Sequence, residues 1–210
     1  MRYYIADCHF FHETLNTEMD HRGFASAEEM NACMLEKWNS KVRKKDEVII
    51  LGDLSWGTAE QTHELLQQLN GKLFLVEGNH DMFRRDKKFE ADRARFEWIE
   101  PYKEMHDHKR KVILSHYPIP FYNGQYYKAS DGSPKTYMLY GHVHDTADQR
   151  LIERFEEQIR AVTKTDRAGK QYPIPCQMIN CFCMYSDYIP LTLDEWIERD
   201  RCRRLLQNPS

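Results

Sequence analysis

The chain has 210 residues, is 41% hydrophobic and 12% aromatic, and carries a formal net charge of −3 at pH 7. That length builds one domain with a sizeable core and is short for two. There is no apolar run near the ~20 residues a membrane helix needs and no basic-then-apolar leader. The charge balance is not the basic footprint of a nucleic-acid binder. A single cytoplasmic domain over residues 1–210, with no membrane segment, is expected.

Residues 2–6 read as a first buried strand. Ser26 with Glu29 three positions on is a capping-box signature and predicts a helix through about Val42. Residues 47–51 form a short apolar strand, as expected where both faces of a sheet are covered. Thr58 and Gln61 cap a second helix that Gly71 closes, and Lys72–Val76 returns as a strand. Further strands are expected at 111–114, 137–140 and 176–179. Leu151, Ile152, Phe155, Ile159 and Val162 recur at helical spacing, and Thr192 with Glu195 caps a terminal helix ending near Leu206. This alternation predicts an α/β fold, with no internal repeat and no low-complexity linker.

Residues of the types that bind metals fall in five islands: Asp7-Cys8-His9, Gly52-Asp53, Gly78-Asn79-His80-Asp81, Ser115-His116 and Gly141-His142-Val143-His144. Each lies at the carboxyl end of an expected strand, where the ligand crevice of an open α/β sheet is found. Anionic and imidazole side chains gathered on one rim are stable only with cations between them, so the pattern predicts a polynuclear metal site. Asp7 and His9 are two apart in an extended segment and so share a face, as do His142 and His144. Asp53 ends another strand and has two oxygens with which to bridge two ions. Asn79 adds a neutral carbonyl oxygen and His116 a further imidazole. The mixed N/O set suits Mn, Fe, Zn or Ni better than Ca. Two metals bridged by one carboxylate stand ~3.5–4 Å apart, where they clamp a phosphoryl group and activate a water.

In this order the islands resemble the D-x-H, G-D, G-N-H-[DE], H and G-H-x-H motifs of the calcineurin-like metallophosphoesterase superfamily, framing residues 7–144. Farther on, Ile179-Asn180 and the stretch from Asp187 to Glu195 resemble the tail of small bacterial and phage members. The resemblance implies a four-layer α/β/β/α sandwich with a dinuclear site of two divalent transition-metal ions at the strand ends. One ion would be held by Asp7, His9, Asp53 and His144, the other by Asp53, Asn79, His116 and His142. His80 would be the catalytic histidine, outside the ligand set, stabilising the transition state or protonating the leaving alkoxide. Asp81 beside it would orient that imidazole. The implied activity is hydrolysis of phosphodiesters or monoesters by a metal-bridging hydroxide, on a small phosphoester with nucleotide-like molecules among the candidates. The second island lacks the Asp-Arg of the protein phosphatases, and Asp81 stands where they have Glu; both count against a protein Ser/Thr phosphatase. A nuclease on the same metals and a non-catalytic scaffold of the same fold are the alternatives. The acidic balance speaks against the first and the complete ligand set against the second.

The basic clusters at 41–45, 84–88 and 108–111 read as solvated helix ends or loops, although Arg84 and Arg85 follow a metal motif directly. The six cysteines show no CxxC pairing, which predicts reduced thiols. Cys181 and Cys183 alternate in what reads as a strand. His12 is near enough to His9 to reach the site. Trp56 reads first as a buried aromatic and second as a stacking surface. Residues 117–136, rich in Tyr, Pro and Gly, are pinned between His116 and the strand leading to His142. A loop of that length is expected either to face substrate or to pack its aromatics onto the domain.

Overall fold

The computed structural model of the protein describes residues 1–207. In chain order its first half contains β1 (Arg2–Ile5), α1 (Ala27–Lys41), β2 (Glu47–Ile50), α2 (Ala59–Gln68), β3 (Lys72–Val76) and β4 (Phe96–Glu100). Its second half contains β5 (Tyr102–Asp107), β6 (Arg110–Ser115), β7 (Thr136–Tyr140), α3 (Ala147–Ala161), β8 (Thr163–Thr165), β9 (Gln171–Pro173), β10 (Met178–Asn180) and α4 (Leu193–Gln207).

α1, α2 and α4 start where their capping residues predict, whereas α3, expected from apolar spacing over 151–162, starts earlier, at Ala147 behind a Thr146 cap. Ser26 Oγ accepts the Glu29 N–H, Thr58 and Gln61 close a reciprocal capping box, and Thr192 and Glu195 make the same exchange at α4. β1–β4 form a wholly parallel sheet in chain order. The second sheet runs β10-β7-β6-β5, with β5 turning back antiparallel onto β6. β8 and β9 pair as a separate ribbon.

Alternation along each strand distributes its side chains between apolar clusters. Tyr3, Ile5, Val48, Ile50, Leu73 and Leu75 pack with Met34 and Trp38 of α1 and with Leu65 and Leu66 of α2. The intervening Tyr4, Ile49 and Val76 pack instead with Val112, Leu114, Tyr137, Leu139 and Ile179 of the second sheet. The opposite face of that sheet, Ile113, Met138, Tyr140 and Met178, packs on Ile159 of α3. The two sheets are also tied through the backbone, because Ala6 N–H donates to the Cys181 carbonyl and Cys183 N–H donates to the Ala6 carbonyl.

Several local expectations are corrected. The strand expected at 176–179 begins at Met178. Cys183 opens a short 3-10 turn rather than continuing a strand, so Cys181 and Cys183 enter different apolar clusters. β4, β5 and the β8–β9 ribbon add strands where none was expected, and the basic stretch at 108–111 is a hairpin turn with the start of β6. All six cysteines are free, and no helix among the described residues is long and apolar enough to cross a membrane.

Candidate metal centre

All five islands lie at carboxyl ends of parallel strands: Asp7 after β1, Asp53 after β2, Asn79 after β3, His116 after β6, and His142 and His144 after β7. The backbone there is not extended, as the same-face argument assumed. Asp7 (φ 53°), His9 (φ 48°), Asp53 (φ 55°), His142 (φ 72°) and His144 (φ 48°) all adopt left-handed conformations. Such conformations are uncommon for non-glycine residues and gather at functional sites. The paired side chains therefore converge through tight turns rather than through strand pleating.

Glycines give the ligands room. A Cβ on Gly52, itself at φ 91°, would stand 2.2 Å from His116 Nδ1, and one on Gly78 would stand 2.2 Å from Asp53 Oδ1. No side chain fits at either place.

The seven expected ligands come together. Ligand atoms of Asp7, His9 and His144 lie within 4.8 Å of one another, as do those of Asp7, Asp53 and His116. Asp53 Oδ2 is 3.6 Å from His9 Nε2 and 3.4 Å from His116 Nε2, so one oxygen stands between the two groups. Asn79 Oδ1 is 3.0 Å from both His116 Nε2 and His142 Nδ1. Asp7, like Asp53, faces both groups.

The donor chemistry fits divalent cations. His116 Nδ1 lies 2.8 Å from the Leu51 carbonyl, which can only accept, so this nitrogen carries a proton and Nε2 is the nitrogen that a cation could take by displacing a proton from it. That Nε2 faces two oxygen acceptors, Asn79 Oδ1 and Asp53 Oδ2. His144 repeats the pattern: its Nδ1 donates to Asp20 Oδ1 at 2.7 Å, turning Nε2 toward Asp7. His9 Nδ1 is buried without a hydrogen-bond partner. Acceptors converging on acceptors out of water are stabilised only by positive charge between them.

Without an ion, the positive charge that these oxygens need comes from His116 itself. Burial pushes Asp7 up to about 6. Burial opposes charge on Asp53 as well, yet His116 and His9 beside it and the His80 N–H hold it down to about 2. His116 resists burial and is pushed up to about 9 by the carboxylates of Asp53 and Asp7. Burial and the neighbouring His116 lower His142. The cluster thus retains positive charge at its centre.

His80 is half-buried at the edge of the cluster. Its backbone N–H donates to Asp53 Oδ1 at 2.9 Å, and its ring packs on Trp56 at 4.6 Å between centroids. The expected pairing with Asp81 is corrected. The Asp81 carboxylate turns inward and accepts the backbone N–H groups of Asp53, Leu54 and Gly78 at 2.8, 3.0 and 2.8 Å. It therefore positions the Asp53 turn. Arg85 has a related role: its guanidinium donates to the carbonyls of Gly78, Asn79 and Asp81, which ties it to the loop rather than leaving it for a ligand. Trp56 is 49% exposed, so the surface reading holds over the buried one. His12 packs on Trp56 at 4.5 Å, and its Nδ1 accepts the Leu15 N–H.

Three supporting residues were not expected. Asp20 accepts from His144 and also pairs with Arg22 at 2.8 Å. Arg22 in turn donates to the carbonyls of Asp7 and Cys8, the turn that aims Asp7 and His9. Asn180 donates to the His144 carbonyl. In the loop at 117–136, Tyr122 is buried and both donates to the Gln177 carbonyl and accepts the Gln177 N–H. Tyr117 stands at the site instead, 4.5 Å from the His142 ring and 49% exposed. The loop thus combines a packed anchor at Tyr122 and one aromatic at the centre, Tyr117, with Phe121, Tyr126 and Tyr127 exposed.

The calcineurin-like phosphoesterase superfamily domain matches residues 4–162 of this chain. An uncharacterised protein of Methanocaldococcus jannaschii is 43% identical over 83 residues, 39% of this chain and 47% of that protein. The gene 66 protein of Mycobacterium phage L5 is 37% identical over 83 residues, 38% of this chain and 39% of that protein. The chain thus spans less than half the length of either relative. A protein of unknown function from Aquifex aeolicus shares the fold, with a TM-score of 0.61 at 24% identity, over 94% of this chain and 98% of that one. With the family domain covering most of its length and every island of the motif pattern inside that match, the chain belongs to the calcineurin-like phosphoesterase superfamily.

Proposed function

We propose that this protein is a hydrolase of phosphoester bonds, built as a single domain in a four-layer α/β/β/α sandwich with a dinuclear metal site. The observation that carries the proposal is the meeting of ligand atoms at Asp53 Oδ2, 3.6 Å from His9 Nε2 and 3.4 Å from His116 Nε2. Asp7, His9 and His144 would hold one ion, and Asn79, His116 and His142 the other, with the carboxylates of Asp53 and Asp7 between them. Bound divalent ions of the Mn, Fe, Zn or Ni type supply Lewis acidity, polarising the phosphoryl group and making water a competent nucleophile near neutral pH. Asn79 completes its ligand set without adding negative charge, which lowers repulsion toward an anionic ester. His80 places a proton on the leaving oxygen as the P–O bond breaks and its electron pair departs with that oxygen; the attacking water supplies the new oxygen on phosphorus and releases a proton to solvent, from which His80 is reprotonated. Trp56 packs edge-on beside the imidazole, 4.6 Å between centroids, and steadies its orientation.

A nuclease gains no support from the basic pair, since Arg85 is committed to backbone carbonyls and Arg84 lies 3.7 Å from Glu77. The six free thiols are consistent with a reducing cytoplasmic setting.

Elemental analysis combined with chromogenic monoester and diester assays tests the proposal. Metal should co-purify or reconstitute at up to two ions per chain, and chelation should abolish turnover. Asp53→Ala should strip metal from both groups; full metal content in that variant, or turnover that survives chelation, would overturn the reading.

A further inference from the structure

Beside the metal centre lies a cleft of about 250 Å³, with His80 and Asn79 on one wall and Trp56, Met82, Phe83 and Phe89 around the rest. Its volume is below the roughly 300–1,000 Å³ of pockets that enclose whole small ligands, so it suits one part of a substrate. Phe83 is buried and packs edge-to-face on Phe89 at 5.6 Å, which makes the floor rigid. Trp56 and Met82 are 49% and 40% exposed, an unusual amount of accessible apolar surface next to a charged centre. The two hydroxyls in the wall, Ser55 and Thr62, are bonded to each other at 2.8 Å, and Ser55 Oγ also accepts the Gly57 N–H. They are satisfied within the protein, so the cleft offers a flat apolar contact with little to read polar substituents.

We infer that this cleft is the leaving-group subsite, and that it selects phosphoesters whose leaving alcohol carries a flat, largely apolar ring. The inference rests on the phosphoesterase reading above and adds a substrate class to it. His80 fixes the direction: a side chain that protonates the leaving oxygen must stand on the side where the alcohol departs, and His80 forms a wall of this cleft. A ring seated there meets the face or edge of Trp56 and the edge of Phe89, which favours aromatic over aliphatic groups of similar size. Recognition is by shape and stacking rather than by hydrogen bonds, so several ring systems are accepted.

The test uses the manganese-loaded protein and two phosphonates in which CH₂ replaces the leaving oxygen, one ending in phenyl and the other in methyl, with calorimetric binding as the readout. Turnover of the corresponding benzyl and ethyl phosphodiesters, whose leaving alcohols are similarly basic, is measured in parallel. Wild type should bind the phenyl analogue about tenfold more tightly than the methyl one, the scale of a good aromatic contact. Trp56→Ala should reduce that ratio to about twofold or less, and Trp56→Phe should restore most of it. Equal binding of the two analogues by wild type, or a ratio unmoved in Trp56→Ala, overturns the subsite. The two readings fail separately. A phenyl preference with no turnover of these diesters or of the benzyl and ethyl monoesters refutes the hydrolase, and with it the leaving-group role, and keeps only a ring-binding cleft, whereas turnover with equal binding refutes the subsite and keeps the hydrolase.

Discussion

Asp20 gives the sharpest test of how the centre is built. Its carboxylate accepts from His144 Nδ1 at 2.7 Å and from Arg22 at 2.8 Å, with the Asp20 and Arg22 side chains 3% and 0% exposed. Asp20→Ala removes two separable things. The first is the counter-charge of a buried guanidinium, whose loss typically costs about 3–5 kcal/mol. The lower end applies, because Arg22 keeps the Asp7 and Cys8 carbonyls as partners. For a chain of 210 residues, a loss of about 3 kcal/mol lowers Tm by roughly 6–12 °C. The second is the hydrogen bond that fixes the His144 tautomer; losing such a partner costs about 10–100-fold in metal affinity. Only the ion at Asp7, His9 and His144 should weaken, so chelator competition should resolve one weakened site and one intact site. Urea denaturation of the metal-free protein isolates the stability term. Asp20→Asn separates the two effects, since its amide oxygen still accepts from His144 while the charge facing Arg22 is gone. Metal-free Asp20→Ala protein within about 1 kcal/mol of wild type would refute the buried-pair argument. Undiminished affinity at both sites would refute the orienting role.

His80→Ala should keep its metal content while turnover falls by roughly 10²–10⁴, with smaller losses for esters whose leaving groups need no proton. Equal losses for good and poor leaving groups would remove His80 as the acid. Gly78→Ala should be destabilising by about 1–3 kcal/mol, the usual cost of overpacking, and should displace Asp53, because the added Cβ would stand 2.2 Å from Asp53 Oδ1. A variant with wild-type stability and metal content, measured by denaturation and elemental analysis, would contradict the close packing.

The parallel strands were legible because both of their faces are buried: Val48-Ile49-Ile50 and Leu73-Phe74-Leu75 feed clusters on opposite sides of one sheet. α1, α2 and α4 were legible from their caps and α3 from its apolar spacing, with its Thr146 cap missed. β4 and β5 were not, since both lie at sheet edges and their charged residues interrupt the apolar signal: Glu97 and Glu100 in one, Lys103, Glu104, His106 and Asp107 in the other. The ligands were legible as a set because each ends a buried strand. Their supports were not. Asp20 and Arg22 lie between a short π-helical segment, Leu15–Met19, and Gly23, where a polar run reads as ordinary loop. Their contacts, with Asp7, Cys8 and His144, come from sequence-distant segments that no local pattern reports. Asp81 was misread for the opposite reason. Adjacency to His80 suggested a partnership, while three backbone N–H donors compete for the same two oxygens and prevail.

The left-handed backbone at five of the seven proposed ligands says where the geometry of the centre originates. Asp and His tolerate this region better than β-branched residues, so the strain sits near the low end of about 1–3 kcal/mol per residue. Even so, the total is comparable to the roughly 5–15 kcal/mol of net stability of a whole domain. Such turns persist only if the surroundings over-determine them, and here they do. Asp7 N–H donates to the Gly52 carbonyl and His9 N–H to the Asp53 carbonyl, so the first turn is locked onto the second. The second is held by Asp81, and Arg22 clamps the first from behind. Neither set of restraints requires an ion. The side chains are therefore aimed by the protein itself, and an ion entering here would take up ligand atoms already in place, displacing the His116 proton, rather than fold the site around itself.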